Sequence, residues 1–455
     1  MSRAPRPIPP RRRWAPRTGA AALAGLLVLT GCGGPGDGPA TGTQEDIEAA
    51  LQEETTITFW TWVPDIGETV ELFEREYPDI TVEVVNSGQS AQQYTNMQNA
   101  IRAGSGGPDV AQVEYFALPQ FALAESVLDL TDYGFESHAD RFTDSAWEQV
   151  NVAGGVYGVP QDTGPMVMFY REDLLDEAGI EPPTTWEEFA QAARDYREHD
   201  PDGYLTSIDP LDAGGVDSLL WQAGSRPFAV EGDSTIALDL ADEGARRFSE
   251  LWTPLLADDL VHAEQGWTEE WWRGMSSGRY AMWIAGAWAP GSLETTIPET
   301  SGSWRVAPIP QWEEGTPVNA ENGGSSVAVL SQSENTLAAI GFAQWLNTDP
   351  EAVRSLSRDA GLFPATTELL EDPEWLGQES EVMGGQQANQ VFAEASAAVA
   401  PGWQYLPIQV YANSVFGDTV GPVISDGTPV VDGLTRWQQQ IADYGEEQGF
   451  TVTTP

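Results

Sequence analysis

Lysine is missing altogether from the 455 residues: all 21 basic residues are arginines, set against 70 acids. A chain with a formal net charge of −49 at pH 7 repels nucleic acid and anionic lipid, so neither is expected as a partner. Cysteine occurs once, which excludes a disulfide framework and any multi-thiolate metal site. The three histidines, His138, His199 and His262, sit in acidic or loop surroundings without ligand spacing and read as surface residues. No Walker loop, nucleophile elbow, Ser-His-Asp order or zinc signature is present. The apolar run over residues 20–29 is too short to span a bilayer. What remains is 41% hydrophobic, enough for a sizeable core, and at about 150 residues per domain the length predicts two or three domains.

Six arginines (Arg3, Arg6, Arg11, Arg12, Arg13, Arg17) precede that apolar run, and no acid occurs before Asp37. A basic stretch, a short apolar stretch and small residues make a secretory signal, predicted over residues 1–31. Leu29-Thr30-Gly31-Cys32 resembles a bacterial lipobox, which implies cleavage before Cys32 and lipidation of that cysteine. Arg11 to Arg13 leave twin-arginine export open beside the general route. Removing the leader leaves 15 arginines against 70 acids, a surface suited to a saline setting or simply a lineage that avoids lysine. Residues 32–55 are rich in Gly, Pro, Thr and acids and read as a flexible tether.

Order is predicted next. Ile57-Thr58-Phe59-Trp60-Thr61-Trp62 reads as a buried strand, Val70, Phe73 and Tyr77 as a helix face, residues 81–85 as a second strand, 94–102 as a helix, and 109–113 as a third strand. That β-α-β-α-β order specifies a parallel sheet with helices on its faces. Thr185 and Glu188 have capping-box spacing ahead of a face of Trp186, Phe189, Ala190, Ala193 and Tyr196. Ala338, Gly341, Phe342, Trp345 and Leu346 mark another amphipathic helix.

The stretch Gly155-Val156-Tyr157-Gly158-Val159-Pro160-Gln161-Asp162-Thr163-Gly164-Pro165, running into Phe169-Tyr170-Arg171-Glu172-Asp173-Leu174-Leu175, resembles the inter-lobe crossover of family 1 extracellular solute-binding proteins, the sugar-capture lipoproteins of ABC importers. Gly106-Gly107-Pro108-Asp109-Val110, Ala281-Met282-Trp283-Ile284-Ala285-Gly286-Ala287-Trp288, Glu321-Asn322-Gly323-Gly324-Ser325 and Gly361-Leu362-Phe363-Pro364-Ala365 are similar to further segments of that family, in the right order. The resemblance implies an α/β, type II periplasmic-binding-protein-like fold of two lobes, each a mainly parallel sheet flanked by helices, with the ligand cleft between them. Lobe one would comprise residues 56–160 plus 320–366, and lobe two 161–319 plus 367–455. It implies a monomer, lipid-anchored outside the cytoplasmic membrane, that delivers its ligand to ABC permease subunits.

A sugar offers an apolar C–H face and a rim of hydroxyls, so its site needs flat aromatic rings together with carboxylates or amides. The sequence holds 18 tryptophans, of which Trp14 belongs to the leader, although for any single tryptophan a core role is the simpler reading. Trp288 follows a predicted strand and matches the family's stacking position. Trp62 and Asp65 end the first strand, Glu114 and Tyr115 the third. Asp162 lies in the crossover, Asn322 and Gly323 in the return crossing, and Trp403 follows the Pro401-Gly402 breaker in the second lobe. Gln89 is a weaker candidate, and Trp60, on the opposite strand face to Thr61, belongs to the core. No arginine cluster accompanies these residues, which favours a neutral ligand over an anion.

No cofactor is called for, with one exception. Glu198, Asp200, Asp202, Gly203 and Asp209 follow the spacing of a calcium loop, but Glu198 and Asp209 depart from the usual residues and Pro201 stiffens the turn, so an acidic Asp-Gly turn after a helix is the preferred reading. A secreted glycoside hydrolase would need two carboxylates flanking the bond it cuts, and in so acidic a chain such pairs carry no information. A binding protein for a peptide or polyol stays open, as does an adhesion or scaffold lipoprotein, though a scaffold would share the tether and not the crossover motifs. Non-catalytic sugar capture is the function expected.

Overall fold

The computed structural model describes residues 42–232, 234–313, 315 and 317–455. The leader and Cys32 lie outside the described residues. The elements that position the site are, in chain order, α1 (Gln44–Ala50), β1 (Thr55–Trp60), α2 (Ile66–Glu76), β2 (Ile80–Val85), α3 (Ala91–Ala103), β3 (Val110–Glu114), β4 (Val159–Asp162), β5 (Met166–Arg171), α4 (Trp186–His199), α5 (Ala213–Gln222), α6 (Glu269–Ser277), β6 (Met282–Gly286), β7 (Trp304–Pro308), β8 (Ser325–Val329) and α7 (Thr336–Thr348).

The first sheet has the order β2-β1-β3-β8-β4. Its first three strands are parallel, as the alternating β and α signals require, whereas β8 runs antiparallel to both β3 and β4. On one side of it Phe59, Phe73, Phe342 and Trp345 form an aromatic cluster with ring centroids 5.0–5.4 Å apart. Helix α7 is buried on nearly every face, because α1 covers the side that faces away from the sheet. Gly341 makes that possible: a Cβ there would lie 2.9 Å from Leu51 Cδ1.

Residues 43–55, expected within the tether, are therefore structured in large part. Thr43 and Asp46 form a capping box at the start of α1, and Ile47 and Leu51, one turn apart, are buried in the core that holds Phe59 and Phe342.

The second sheet, β6-β5-β7, corrects the expectation of parallel strands in the second lobe: both pairings are antiparallel. The reason is topological. β5 leaves the crossover, and β6 and β7 both return toward it, the first ending two residues before Trp288 and the second leading toward the return crossing. The α/β class itself is the expected one. The capping box of α4 forms as its sequence requires, with Glu188 N–H donating to Thr185 Oγ1 at 3.1 Å and Thr185 N–H to Glu188 at 3.3 Å. Ala192 is buried on that helix, where Ala190 was expected. Among the described residues no helix is long and apolar enough to cross a membrane.

Candidate functional site: a cleft at the crossing strands

Three segments pass between the two halves side by side. Thr163-Gly164-Pro165 joins β4 to β5, the segment from Glu321 to Gly324 leads back into β8, and Phe363-Pro364 pairs with the first of these, Thr163 N–H donating to Phe363 O at 3.1 Å. Gly164 is required by this crowding, since a Cβ on it would lie 2.1 Å from Asn322 O. Gly323 and Gly324 adopt φ of 88° and 99°, the left-handed region open to glycine. Glu321 clamps the crossing: its carboxylate accepts from Gly164 N–H at 2.7 Å and from Ser145 Oγ at 2.8 Å.

Beside these strands opens a cleft of about 800 Å³. Trp62, Glu114, Asp162, Trp288, Asn322 and Gly323 line it together, as does Gln89. Trp62 and Glu114 reach it from the ends of strands in the first sheet, and Trp288 from the end of β6 in the second. Trp288 is pinned by its indole N–H, which donates to Asn322 O at 2.7 Å, and Gly286 leaves room for that ring, because a Cβ there would stand 2.3 Å from Trp288 Nε1. Tyr94 fixes Glu114: its hydroxyl donates to the carboxylate at 2.8 Å and accepts from Glu114 N–H at 2.9 Å.

Three expected residues fall elsewhere. Asp65 is exposed, caps nothing at the start of α2 and does not line the cleft. The Tyr115 side chain turns inward and donates to Asp162 O at 3.0 Å, supporting the crossing rather than facing the cleft. Trp403 is buried and stacked on Trp221 at 5.2 Å; Tyr405, two residues on, lines the cleft in its place. Asp212, Asp217 and Trp267 also line the cleft and were not expected. Asp212 had a legible signal, an Asp ahead of Ala-Gly-Gly that caps α5 by accepting from Gly215 N–H at 3.0 Å. Asp217 and Trp267 had none.

The cleft is acidic, and no arginine lines it. Burial pushes Asp162 up to about 7 despite its acceptance of Ser325 N–H at 3.0 Å and of the Ser325 hydroxyl. Burial likewise raises Glu321 to about 7, and it lifts Glu114, Asp212 and, most strongly, Asp217 above the ordinary carboxylate range. Asp217 Oδ2 accepts from Gln409 at 3.2 Å, while Oδ1 has no protein partner. Such a site offers acceptors to hydroxyl donors and flat rings to apolar faces.

A match to the family model described as bacterial extracellular solute-binding protein spans residues 52–353. The chain belongs to that family. Among solved structures it is similar to an ABC transporter-associated binding protein from B. animalis subsp. lactis Bl-04 in complex with beta-1,6-galactobiose, at 37% identity and TM-score 0.78, over 88% of this chain and 99% of that one. It is also similar to the galacto-N-biose-/lacto-N-biose I-binding protein from Bifidobacterium longum in complex with lacto-N-biose, at 27% identity and TM-score 0.77, over 88% of this chain and 99% of that one. The arabinooligosaccharide-binding protein of Halalkalibacterium halodurans is 27% identical over 72% of this chain and 74% of its own length. These relatives are named for binding, and the family is extracellular.

The calcium loop does not assemble. Asp200 accepts from Asp202 N–H at 3.0 Å in a tight turn, and the Arg197 guanidinium takes the carbonyls of Pro201 and Gly203. Asp209 is drawn away, accepting from Leu211 N–H at 2.7 Å and Gly266 N–H at 2.9 Å. Among the described residues no group of three or more His, Cys, Asp or Glu side chains could hold a metal. His262 departs from the surface reading too: it stacks on Tyr204 at 4.7 Å, and its Nδ1 lies 2.8 Å from the Tyr280 hydroxyl. His138 stacks on Phe135 at 5.0 Å, while His199 is exposed.

Proposed function

We propose that this protein is the substrate-capture component of an ABC importer, closing two lobes on a neutral mono- or oligosaccharide and presenting it to a membrane permease. The observation that carries the reading is the cleft itself: Trp62 from one sheet and Trp288 from the other, carboxylates among its lining residues, and no cation among them. The binding of galactobiose, lacto-N-biose and arabino-oligosaccharides by relatives points to the same ligand chemistry. Residues 43–160 with 320–366 act as one lobe, and 161–319 with 367–455 as the other. Contacts that form only between them shift the population toward the closed form. A monomer tethered through lipidated Cys32 on the outer face of the cytoplasmic membrane completes the proposal.

The reading includes no catalysis. Glu321 has the raised pKa of a general acid, but Ser145 and Gly164 occupy its carboxylate and it does not line the cleft. Thermal melting against β-1,6-galactobiose, lacto-N-biose, lactose and arabinobiose tests the proposal. A ligand at a hundred times its dissociation constant adds about 2.7 kcal/mol and moves the melt. A panel of neutral mono- and oligosaccharides that leaves the melt unmoved would refute sugar capture.

A further inference from the structure

Beside the cleft, within the second lobe, lies a smaller cavity of about 90 Å³. Asp212, Trp267, Trp288 and Asn322 line both, so the smaller opens through the wall of the larger. Val216 and Leu219 of α5, Met166 of β5 and Ile284 of β6 give it a largely apolar lining. Most polar groups around it are already engaged. Trp271 Nε1–H donates to Ser207 Oγ at 2.9 Å, the Thr206 hydroxyl to Met282 O at 2.9 Å, and Trp288 Nε1–H to Asn322 O at 2.7 Å. Trp252, which lines the cavity from the helix Glu243–Ala257, differs. It is 2% exposed, and its Nε1 is the one buried side-chain nitrogen or oxygen of the described lining residues without a hydrogen-bond partner. Trp186, Phe189 and Phe248 hold the ring at centroid distances of 5.9–6.1 Å, so it cannot turn to find one. A buried donor left unpaired destabilises the fold, which calls for an acceptor from outside the chain.

Size and chemistry say what can enter. At about 30 Å³ for a group the size of a water, the cavity takes about three non-hydrogen atoms. Its walls favour a methyl, and its unpaired N–H needs an acceptor such as a carbonyl oxygen. Asp209 and Asp212, with no arginine among the lining residues, turn away an anion. An acetyl group meets each condition with three non-hydrogen atoms, a methyl and a neutral acceptor. We propose that this cavity is a pocket for the acetyl group of an acetylated sugar, its carbonyl oxygen accepting from Trp252 Nε1–H. Sugars carry acetyl as an amide or as an ester, and Asp212 at the mouth suits the N–H that only the amide has. The inference rests on the sugar-capture reading and deepens it by naming a substituent that the ligand carries.

The test is calorimetric titration with matched pairs: N-acetylglucosamine and glucose, lacto-N-biose and β-1,3-galactosylglucose, and singly O-acetylated xylobiose and xylobiose. In at least one pair the wild-type protein should prefer the acetylated member by about tenfold or more, the combined scale of a buried methyl and a hydrogen bond. Saturation-transfer NMR on the wild-type complex should show the acetyl methyl among the most strongly saturated ligand protons. Trp252→Phe removes the N–H and keeps a ring, and should cost the acetylated sugar about threefold to tenfold. Val216→Leu narrows the cavity from its other side and should lower the same preference, with ligand-free melting confirming that each variant is folded. Equal affinities within every pair, a weakly saturated methyl, or a preference that both folded variants keep would overturn the pocket and leave sugar capture standing. No binding of any of these sugars by the wild-type protein would overturn both.

Discussion

Trp288 is held at its polar edge by the Asn322 carbonyl and given its space by Gly286, so its ring presents a fixed face to the cleft. Fixing the platform before the ligand arrives removes an ordering cost from binding. Covering such a face is worth on the order of 1.5–3 kcal/mol, so Trp288→Ala should weaken saccharide binding by at least about tenfold in calorimetry. A loss within twofold would mean the ligand lies elsewhere. Glu321 and Asp162 act at the same scale through protons. Burial lifts both to about 7, above their unfolded values, so the folded state holds more protons than the unfolded chain between those limits. The stability this contributes is present in full below the unfolded carboxylate range and is lost as pH rises through about 7. Urea unfolding should therefore show stability falling from about pH 5 to about pH 7, with a shallower fall in Glu321→Gln. An identical slope in wild type and variant would show that Glu321 takes up no proton on folding.

Elements differ in how far their sequence betrays them. The strands and helices of residues 55–114 were legible because alternation, helical spacing and Gly or Pro stops all agree there, and the capping box of α4 is a purely local signal. Helix α1 was not, because Ile47 and Leu51 are a lone apolar pair in a polar stretch and the surface they need, at Gly341, is remote in sequence. Strand direction in the second sheet was illegible for a different reason: periodicity reports which faces are buried, not which way a neighbour runs. The site repeats the lesson. Of the residues placed at a strand end or crossing, Trp62, Glu114, Asp162, Trp288 and Asn322 converge on the cleft while Asp65 and Tyr115 turn away, and Trp403 and Tyr405 exchanged roles through a register of two residues that no local pattern fixes. Asp217 was hidden by the number of acids around it, and Trp267 by the number of tryptophans.

At the scale of the molecule the net charge of −49 cannot be paired internally, and the ion pairs seen among the described residues mostly join partly exposed side chains. Self-repulsion acts on two equilibria at once. It opposes folding, because the compact state crowds like charges. It also opposes closure, because bringing the lobes together draws Glu114 of the first toward Asp212 and Asp217 of the second, all three of them lining one cleft. Salt shortens the reach of both effects, from about 10 Å at 0.1 M to about 3 Å at 1 M. The melting temperature and the affinity for a neutral saccharide should therefore rise together as sodium chloride is increased over that range. The binding effect separates closure from folding. An uncharged ligand has no attraction of its own to be screened, so a gain in its affinity reports the lobes alone. Melting that rises while affinity stays flat would place the repulsion within each lobe and leave closure free of it.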